Sequence, residues 1–96
     1  MKEEMKILRT ASAGNAEKSD VLVTASPNPA GGVAIEVQSV VKVFYGDAIE
    51  AAARDTAEKL GVKAARMELD DYGALDYVIR ARVETALRRA AEEGEQ

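Results

Sequence analysis

The sequence LDYVIRARVETALRRA, residues 75–90, carries the strongest helical pattern in the chain. Its apolar residues recur at every third or fourth position, which places them on one face of an α-helix. Arg88 and Arg89 lie near its end, where the helix dipole favours cations, and Glu84 stands four residues before Arg88, as an ion pair requires. The pattern predicts a helix with one buried face, made of Leu75, Val78, Ile79, Val83, Ala86, Leu87 and Ala90.

A second helix and a strand are predicted just before this one. Residues 47–60 repeat the helical pattern, and Gly61 follows where a left-handed C-terminal cap belongs. Ser39 is a good N-cap, so we extend the helix back to it, although the intervening valines also favour a strand. Alternation over residues 63–69 predicts a strand, and residues 70–73 a turn. The inward residues are Val40, Phe44, Ile49, Ala52, Ala53, Thr56 and Leu60 in the helix, and Ala65, Met67 and Leu69 in the strand.

The first half of the chain is rich in β-branched residues and turn formers. Residues 21–23 form a short apolar run, and residues 33–37 alternate between apolar and polar or small side chains. Proline and glycine at residues 26–32 separate the two runs. This arrangement predicts a β-hairpin, with residues 6–10 as an additional edge strand.

One apolar sheet face and two amphipathic helices have to bury these faces against each other. We therefore expect an α+β fold, a two-layer sandwich in which an antiparallel sheet packs on two amphipathic helices. The chain has 96 residues, the size of one small domain, so residues 1–96 should hold a single core. Its ends, residues 1–5 and 92–96, should fray.

Composition excludes most chemistry and several partners. The chain has 0 His and 0 Cys, so it supplies no imidazole base, thiolate or zinc-finger ligand, and we name no catalytic and no metal-binding residue. Its net charge of -4 has the wrong sign for a nucleic-acid partner. The apolar runs are far too short to cross a membrane, and no signal peptide opens the chain, so we expect a cytoplasmic protein.

Three groups of polar residues are candidates for function. The acidic pair at residues 70–71 either forms a turn and caps the helix or shares a divalent ion. Arg80 and Arg82 either grip a phosphate or carboxylate or lie as a solvated flank. The polar loop of residues 14–20 contains Ser19, whose hydroxyl has no base beside it. That hydroxyl either accepts a group installed by another enzyme or serves turn chemistry alone.

Three strings carry a resemblance to a known family: FYGDAI at residues 44–49, DDYGALD at residues 70–76 and IRARVE at residues 79–84. They resemble the acyl carrier protein of citrate lyase, its gamma subunit. The resemblance covers residues 5–90 and includes the pattern Ala-Gly-x-x-Glu-x-Ser-Asp-Val at residues 13–21. It implies a non-catalytic carrier subunit that functions in citrate fermentation.

The resemblance also implies a prosthetic group and partners. In this family a serine is esterified to 2'-(5''-phosphoribosyl)-3'-dephospho-CoA, which makes the chain a phosphoprotein and supplies a thiol for the acyl chain. A prosthetic-group transferase attaches the group. The alpha subunit of citrate lyase exchanges acetyl for citryl on the thiol, and the beta subunit then cleaves citryl to oxaloacetate. The net reaction converts citrate to acetate and oxaloacetate.

One position departs from the family pattern. The usual sequence is Glu-Ser-Ser-Asp or Glu-Ser-Gly-Asp, in which the first serine carries the group, whereas here Lys18 follows Glu17. Either attachment has moved one residue to Ser19, which is our prediction, or this chain is not modified. Ser12 is a more distant alternative, because it precedes the Ala-Gly pair. We expect Glu17 and Asp20 to offer negative charge to basic partner surfaces.

Two other functions stay open from the sequence. One is an acyl carrier of the malonate decarboxylase type, which has a similar attachment. The other is an unmodified structural subunit that scaffolds larger catalytic chains.

Overall fold

The computed structural model describes residues 3–39 and 42–92, with only the backbone described at residues 42–44. Two helices pack on a four-stranded sheet and on each other, the first helix mainly against the third strand and the second against the first two strands. The predicted α+β two-layer sandwich is confirmed. Its elements are β1 (Ala11–Gly14), β2 (Val21–Ser26), β3 (Gly32–Ser39), α1 (Lys42–Lys59), β4 (Ala64–Asp71) and α2 (Asp76–Ala91).

The sheet is mixed, with the strand order β1-β2-β4-β3. β4 is antiparallel to β2 and parallel to β3. The predicted hairpin of β2 and β3 is therefore wrong, and so is the expectation of a wholly antiparallel sheet. The physical reason is that β3 and β4 are joined through α1, and a helical crossover of this length allows two strands to run parallel. β4 takes the central place, and its inward residues Ala65, Met67 and Leu69 are buried as predicted.

The segment before β1 does not form the edge strand predicted at residues 6–10. Its amides are bound by the ends of the helices, since Leu8 and Arg9 donate to the carbonyl of Ala90. These carbonyls have no partner inside a helix, so the segment satisfies both sets of backbone groups. Met5, which we expected in a frayed end, donates to Gly61 O at 2.9 Å and packs against the core. The expected fraying beyond residue 92 falls outside the described residues.

The helices follow the predicted periodicity except at their starts. Ser39 is the last residue of β3 rather than an N-cap, because its backbone pairs with β4. The predicted inward positions at residues 40 and 44 lie outside the described side chains. Gly61 has a φ of 79°, which confirms the left-handed cap after α1. The α2 face is buried as predicted at Ile79, Val83, Ala86, Leu87 and Ala90.

Val78 on that face is half-buried, and Leu75 departs from the prediction, because it is 61% exposed. It occupies the N-cap of α2 with extended backbone and makes no side-chain capping hydrogen bond. Leu75 therefore lies before the first helical turn, and its side chain does not join the buried face of α2. In the part of the chain that the structure describes, neither helix combines the length and apolarity that crossing a bilayer would need.

Candidate functional site

The loop between β1 and β2, residues 15–20, projects from one end of the sheet and is exposed along most of its length, as predicted. Gly14 closes its base with a φ of 93°. A Cβ added at Gly14 would lie 1.9 Å from the carbonyl oxygen of Val21, so only glycine fits there. The loop is thus held narrow at its base while its tip faces solvent.

Ser19 lies in a four-residue turn at the tip of this loop. The turn is closed by Asp20 N, which donates to Glu17 O at 3.0 Å. Ser19 is the third residue of the turn and has a φ of 68°, the mark of a type II turn, whose third position favours glycine. Its amide donates to Tyr72 O at 2.9 Å, while its side chain is exposed. The backbone of Ser19 is therefore held and its hydroxyl is presented outward.

Asp20 fastens the loop to α2 through Arg82. The Nε and Nη2 atoms of Arg82 donate to the two carboxylate oxygens at 3.1 and 2.9 Å. Val21 N and Asn15 Nδ2 donate to the same carboxylate. The hydrogen bonds from Arg82 outweigh the opposing effect of burial and lower the pKa of Asp20 to about 2.

The Asp20–Arg82 pair shows which carboxylate Arg82 binds, and it corrects the expectation that Asp20 offers its charge to a partner. Arg82 does grip a carboxylate with both arms of its guanidinium, but the carboxylate belongs to this chain. The side chain of Asp20 is only 13% exposed and its charge is matched by Arg82. Asp20 therefore does not offer the free negative charge to a partner that we expected, whereas Glu17 is exposed.

We predict that the Asp20–Arg82 pair makes stability depend on pH below 4. Because the folded-state pKa of Asp20 lies below its ordinary value of 3.8, the pair stabilises the fold above that value and loses this contribution as the pH falls towards 2. Arg82→Gln should cost about 1–2 kcal/mol at pH 7, since Arg82 is partly exposed. It should also flatten the pH dependence between 4 and 2, as measured by urea unfolding.

Arg88→Gln is the matched control for this prediction. Arg88 pairs with Glu84 at 2.9 Å on the exposed surface of the same helix. Such a pair contributes about 0.3–0.5 kcal/mol, so its loss should leave the acid limb of the stability curve unchanged. Equal effects of the two variants would contradict a special role for the Asp20 pair.

The acidic pair at the end of β4 divides into two environments, because neighbouring strand residues point to opposite faces. Asp71 is 1% exposed and accepts hydrogen bonds from Ser39 Oγ, Gly73 N and Ala74 N. Its predicted role in forming the turn is confirmed, whereas the predicted capping of α2 by the acidic pair is wrong, because the N-cap is Leu75 and no side chain caps the helix. Asp70 faces the other way and accepts from Tyr72 Oη at 3.0 Å. Within residues 3–39 and 42–92, no group of three or more acidic side chains is placed to hold a metal ion.

Arg80 lies in an ion-pair network between the helices. It contacts Asp76 at 2.7 Å on its own helix and Asp55 at 2.6 Å on α1. The hydrogen bond from Arg80 is the main cause that lowers the pKa of Asp55 below its ordinary value. The interpretation of Arg80 as a ligand-gripping residue loses support, because its guanidinium is already used within the fold.

The sequence of most of the chain matches a known family of carrier proteins. Residues 8–90 match the acyl carrier family described as malonate decarboxylase delta subunit (MdcD). The chain belongs to this acyl carrier protein family. It is 48% identical to the citrate lyase acyl carrier protein of Escherichia fergusonii, over 95% of this chain and 94% of that one. It is 42% identical to the citrate lyase acyl carrier protein of Halothermothrix orenii, over 96% and 97%. The resemblance seen in the sequence is confirmed.

The fold of this carrier family member also matches a solved structure. A chain in the crystal structure of a Pseudomonas malonate decarboxylase hetero-tetramer in complex with malonate superimposes with a TM-score of 0.72. The match covers 94% of this chain and 92% of that chain at 18% identity. At that identity the likeness concerns the fold alone.

Proposed function

We propose that this chain is the acyl carrier subunit of a citrate lyase and that Ser19 Oγ is the attachment point of its prosthetic group. One observation carries the proposal: an exposed serine hydroxyl stands at the tip of a turn whose backbone is held by Tyr72 O and whose neighbour Asp20 is held by Arg82. Such a site offers the hydroxyl to a modifying enzyme while the rest of the loop stays folded. The similarity to carriers named for citrate lyase supports the choice of complex.

The residues present fit 2'-(5''-phosphoribosyl)-3'-dephospho-CoA bound as a phosphodiester. When bound, the group supplies the thiol on which the acyl chain is carried, and this chain has 0 Cys of its own. Lys18 is exposed beside Ser19, and its ammonium offsets the negative charge of a phosphate there. The carboxylate of Asp20 beside Ser19 is held by Arg82 and is a weak base, so attachment requires a separate transferase. The chain itself acts as a non-catalytic carrier.

The turn geometry supports attachment one residue later than in the family pattern. Lys18 is the second residue of the turn and Ser19 the third, and both side chains are exposed. Moving the hydroxyl from the second to the third position keeps it at the tip of the same turn. The φ of 68° at Ser19 also accounts for glycine at this position in one of the two family patterns.

The test is to co-express the chain with the prosthetic-group transferase and to measure its intact mass and the mass of the peptide that contains residues 15–20. The expected result is one added prosthetic group, located on Ser19. Ser19→Gly should abolish the added mass completely. This variant should fold at least as well as the original chain, because glycine adopts a positive φ without strain.

Ser12→Ala is the control, because Ser12 is the alternative attachment residue, is exposed in β1 and lies outside the turn. It should be modified like the original chain. Added mass on Ser19→Gly, or no added mass on the original chain, would overturn the assignment. Normal lyase activity of a complex assembled with Ser19→Gly would instead favour the unmodified structural subunit.

A malonate decarboxylase carrier is the second candidate, favoured by the family match and by the shared fold. In either complex we propose that the transferase and the catalytic subunits, alpha and beta in citrate lyase, approach the end of the sheet that carries Ser19. Glu17 is the exposed acidic residue there that could meet a basic partner surface. Transfer assays with citrate and with malonate, using the modified chain and each set of subunits, distinguish the two.

A further inference from the structure

A cleft of about 370 Å³ opens between the N-terminal parts of α1 and α2. Its walls are mainly apolar and include Tyr45, Ala48 and Ile49 from α1, with Leu75 and Ile79 from the other side. A site of this size and character suits a small uncharged ligand or chain. It is separate from the polar loop that carries Ser19, and the family assignment does not account for it.

The cleft lies at the same end of the molecule as the attachment turn. Tyr72 O accepts the hydrogen bond from the Ser19 amide, and the next two residues, Gly73 and Ala74, form part of the cleft wall. Consecutive Cα atoms are about 3.8 Å apart, so Ala74 lies within about 8 Å of Tyr72 along the chain. An arm that contains a nucleotide, a diphosphate and a pantetheine chain is longer than this path. A group attached to Ser19 therefore reaches the cleft.

Leu75 gives an independent reason to assign a ligand to this cleft. It is 61% exposed at the cleft, and it occupies an N-cap, a position where leucine is among the least favoured residues and Ser, Thr, Asp and Asn are the most favoured. Tyr45, on the opposite wall, is 58% exposed. Folding alone does not explain the exposed Leu75, and the exposed apolar surfaces of Leu75 and Tyr45 across one cleft suit an apolar occupant.

We infer that this cleft is the resting place of the pantetheine part of the prosthetic arm, with its thiol end shielded from solvent. The inference rests on the proposed function. Among the residues whose side chains the structure describes, the lining of the cleft includes the carboxylates of Asp71 and Asp76 and no cation. Asp76 is paired with Arg80, whereas Asp71 accepts from Ser39 Oγ and two backbone amides, so the cleft suits an uncharged chain and Asp71 disfavours an end that carries carboxylates. The cleft holds the arm between visits to the catalytic subunits and releases it when the end becomes charged.

The test measures how fast iodoacetamide alkylates the arm thiol in the isolated, modified, deacylated carrier. Leu75→Asp should speed alkylation about three- to tenfold, as expected if the arm occupies the cleft for most of the time. This variant should fold well, because aspartate is a favoured N-cap residue. Tyr77→Asp is the matched control, because this substitution adds the same charge in the same helical turn. Tyr77 is 71% exposed and is not among the residues that line the cleft. Tyr77→Asp should leave the rate unchanged.

A second readout locates the arm directly. A spin label on the thiol should broaden the amide resonances of residues 45–49 and 73–79 more than those of Glu36 and Glu68 on the open face of the sheet. Uniform broadening, or equal alkylation rates in all three proteins, would overturn the inference while the mass of the modified chain still supports the proposed function. Shielding that appears only after lyase subunits are added would assign the cleft to a partner and also overturn it. Absence of the modification itself counts against the proposed function instead.

Discussion

Gly14→Ala is expected to destabilise the fold by about 4 kcal/mol, the largest effect of any single methyl group that we predict here. A left-handed φ of 93° disfavours any side chain, and the new Cβ would lie 1.9 Å from Val21 O and 3.2 Å from Arg82 Cδ. The obstacle is mainly backbone, which cannot rotate away as a flexible side chain can. β1 and β2 must separate where Gly14 pairs with Leu22. Urea unfolding should show this loss of free energy, and in thermal unfolding the melting temperature should fall by roughly 20 °C.

Gly31→Ala is the matched control, because it isolates the conformational cost from the steric one. Gly31 has a φ of 85°, and an added Cβ meets nothing within 4 Å. Its substitution should cost about 1–2 kcal/mol, as the left-handed conformation alone requires. If Gly14→Ala and Gly31→Ala were equally stable, the close approach at the base of the loop would not constrain the site.

Local pattern predicted the elements of this fold better than it predicted their pairing. The helical stripe of α2 and the alternation of β4 are visible within one element, because burial on one face repeats at a fixed period. The partner of β3 is not visible in this way. A parallel pair with β4 and an antiparallel pair with β2 place the same alternating residues towards the helices, so the pattern does not distinguish them. The crossover through α1 decides the pairing.

At the loop of residues 15–20, too, the local features are visible in the sequence and the long-range contacts are not. The exposed loop and Ser19 were identified from composition and from the resemblance, both of which are readable in the chain. The contacts that hold the loop were not. Arg82 and Asp20 are 62 residues apart, and Tyr72 acts through its backbone carbonyl, which has no sequence signature. Leu75 looked like part of a buried stripe because its spacing fits the helical period, although the helix begins one residue later.

Asp71→Ala is the second large effect that we expect, a loss of about 3 kcal/mol in the free energy of unfolding. Asp71 accepts from Ser39 Oγ at 2.8 Å, Ala74 N at 3.0 Å and Gly73 N at 3.2 Å, and its side chain is almost fully buried. Alanine removes the acceptor of these three part-buried hydrogen bonds and leaves a space where the buried carboxylate stood. Asp71→Asn should lose less, because its amide oxygen keeps at least one of these bonds.

Asp70→Ala tests whether this loss is specific. Asp70 is the same residue type one position earlier, but among the described residues its carboxylate accepts from Tyr72 Oη alone, on the partly exposed face, so its substitution should cost about 0.5 kcal/mol or less. Hydrogen exchange separates local from global effects. Since Asp71 holds the loop whose Tyr72 carbonyl binds the Ser19 amide, Asp71→Asn should speed exchange at Ser19, Gly73 and Ala74, and Asp70→Asn should not. Unchanged exchange at Ser19 in Asp71→Asn would mean that the turn of residues 17–20 keeps its geometry without the support of β4.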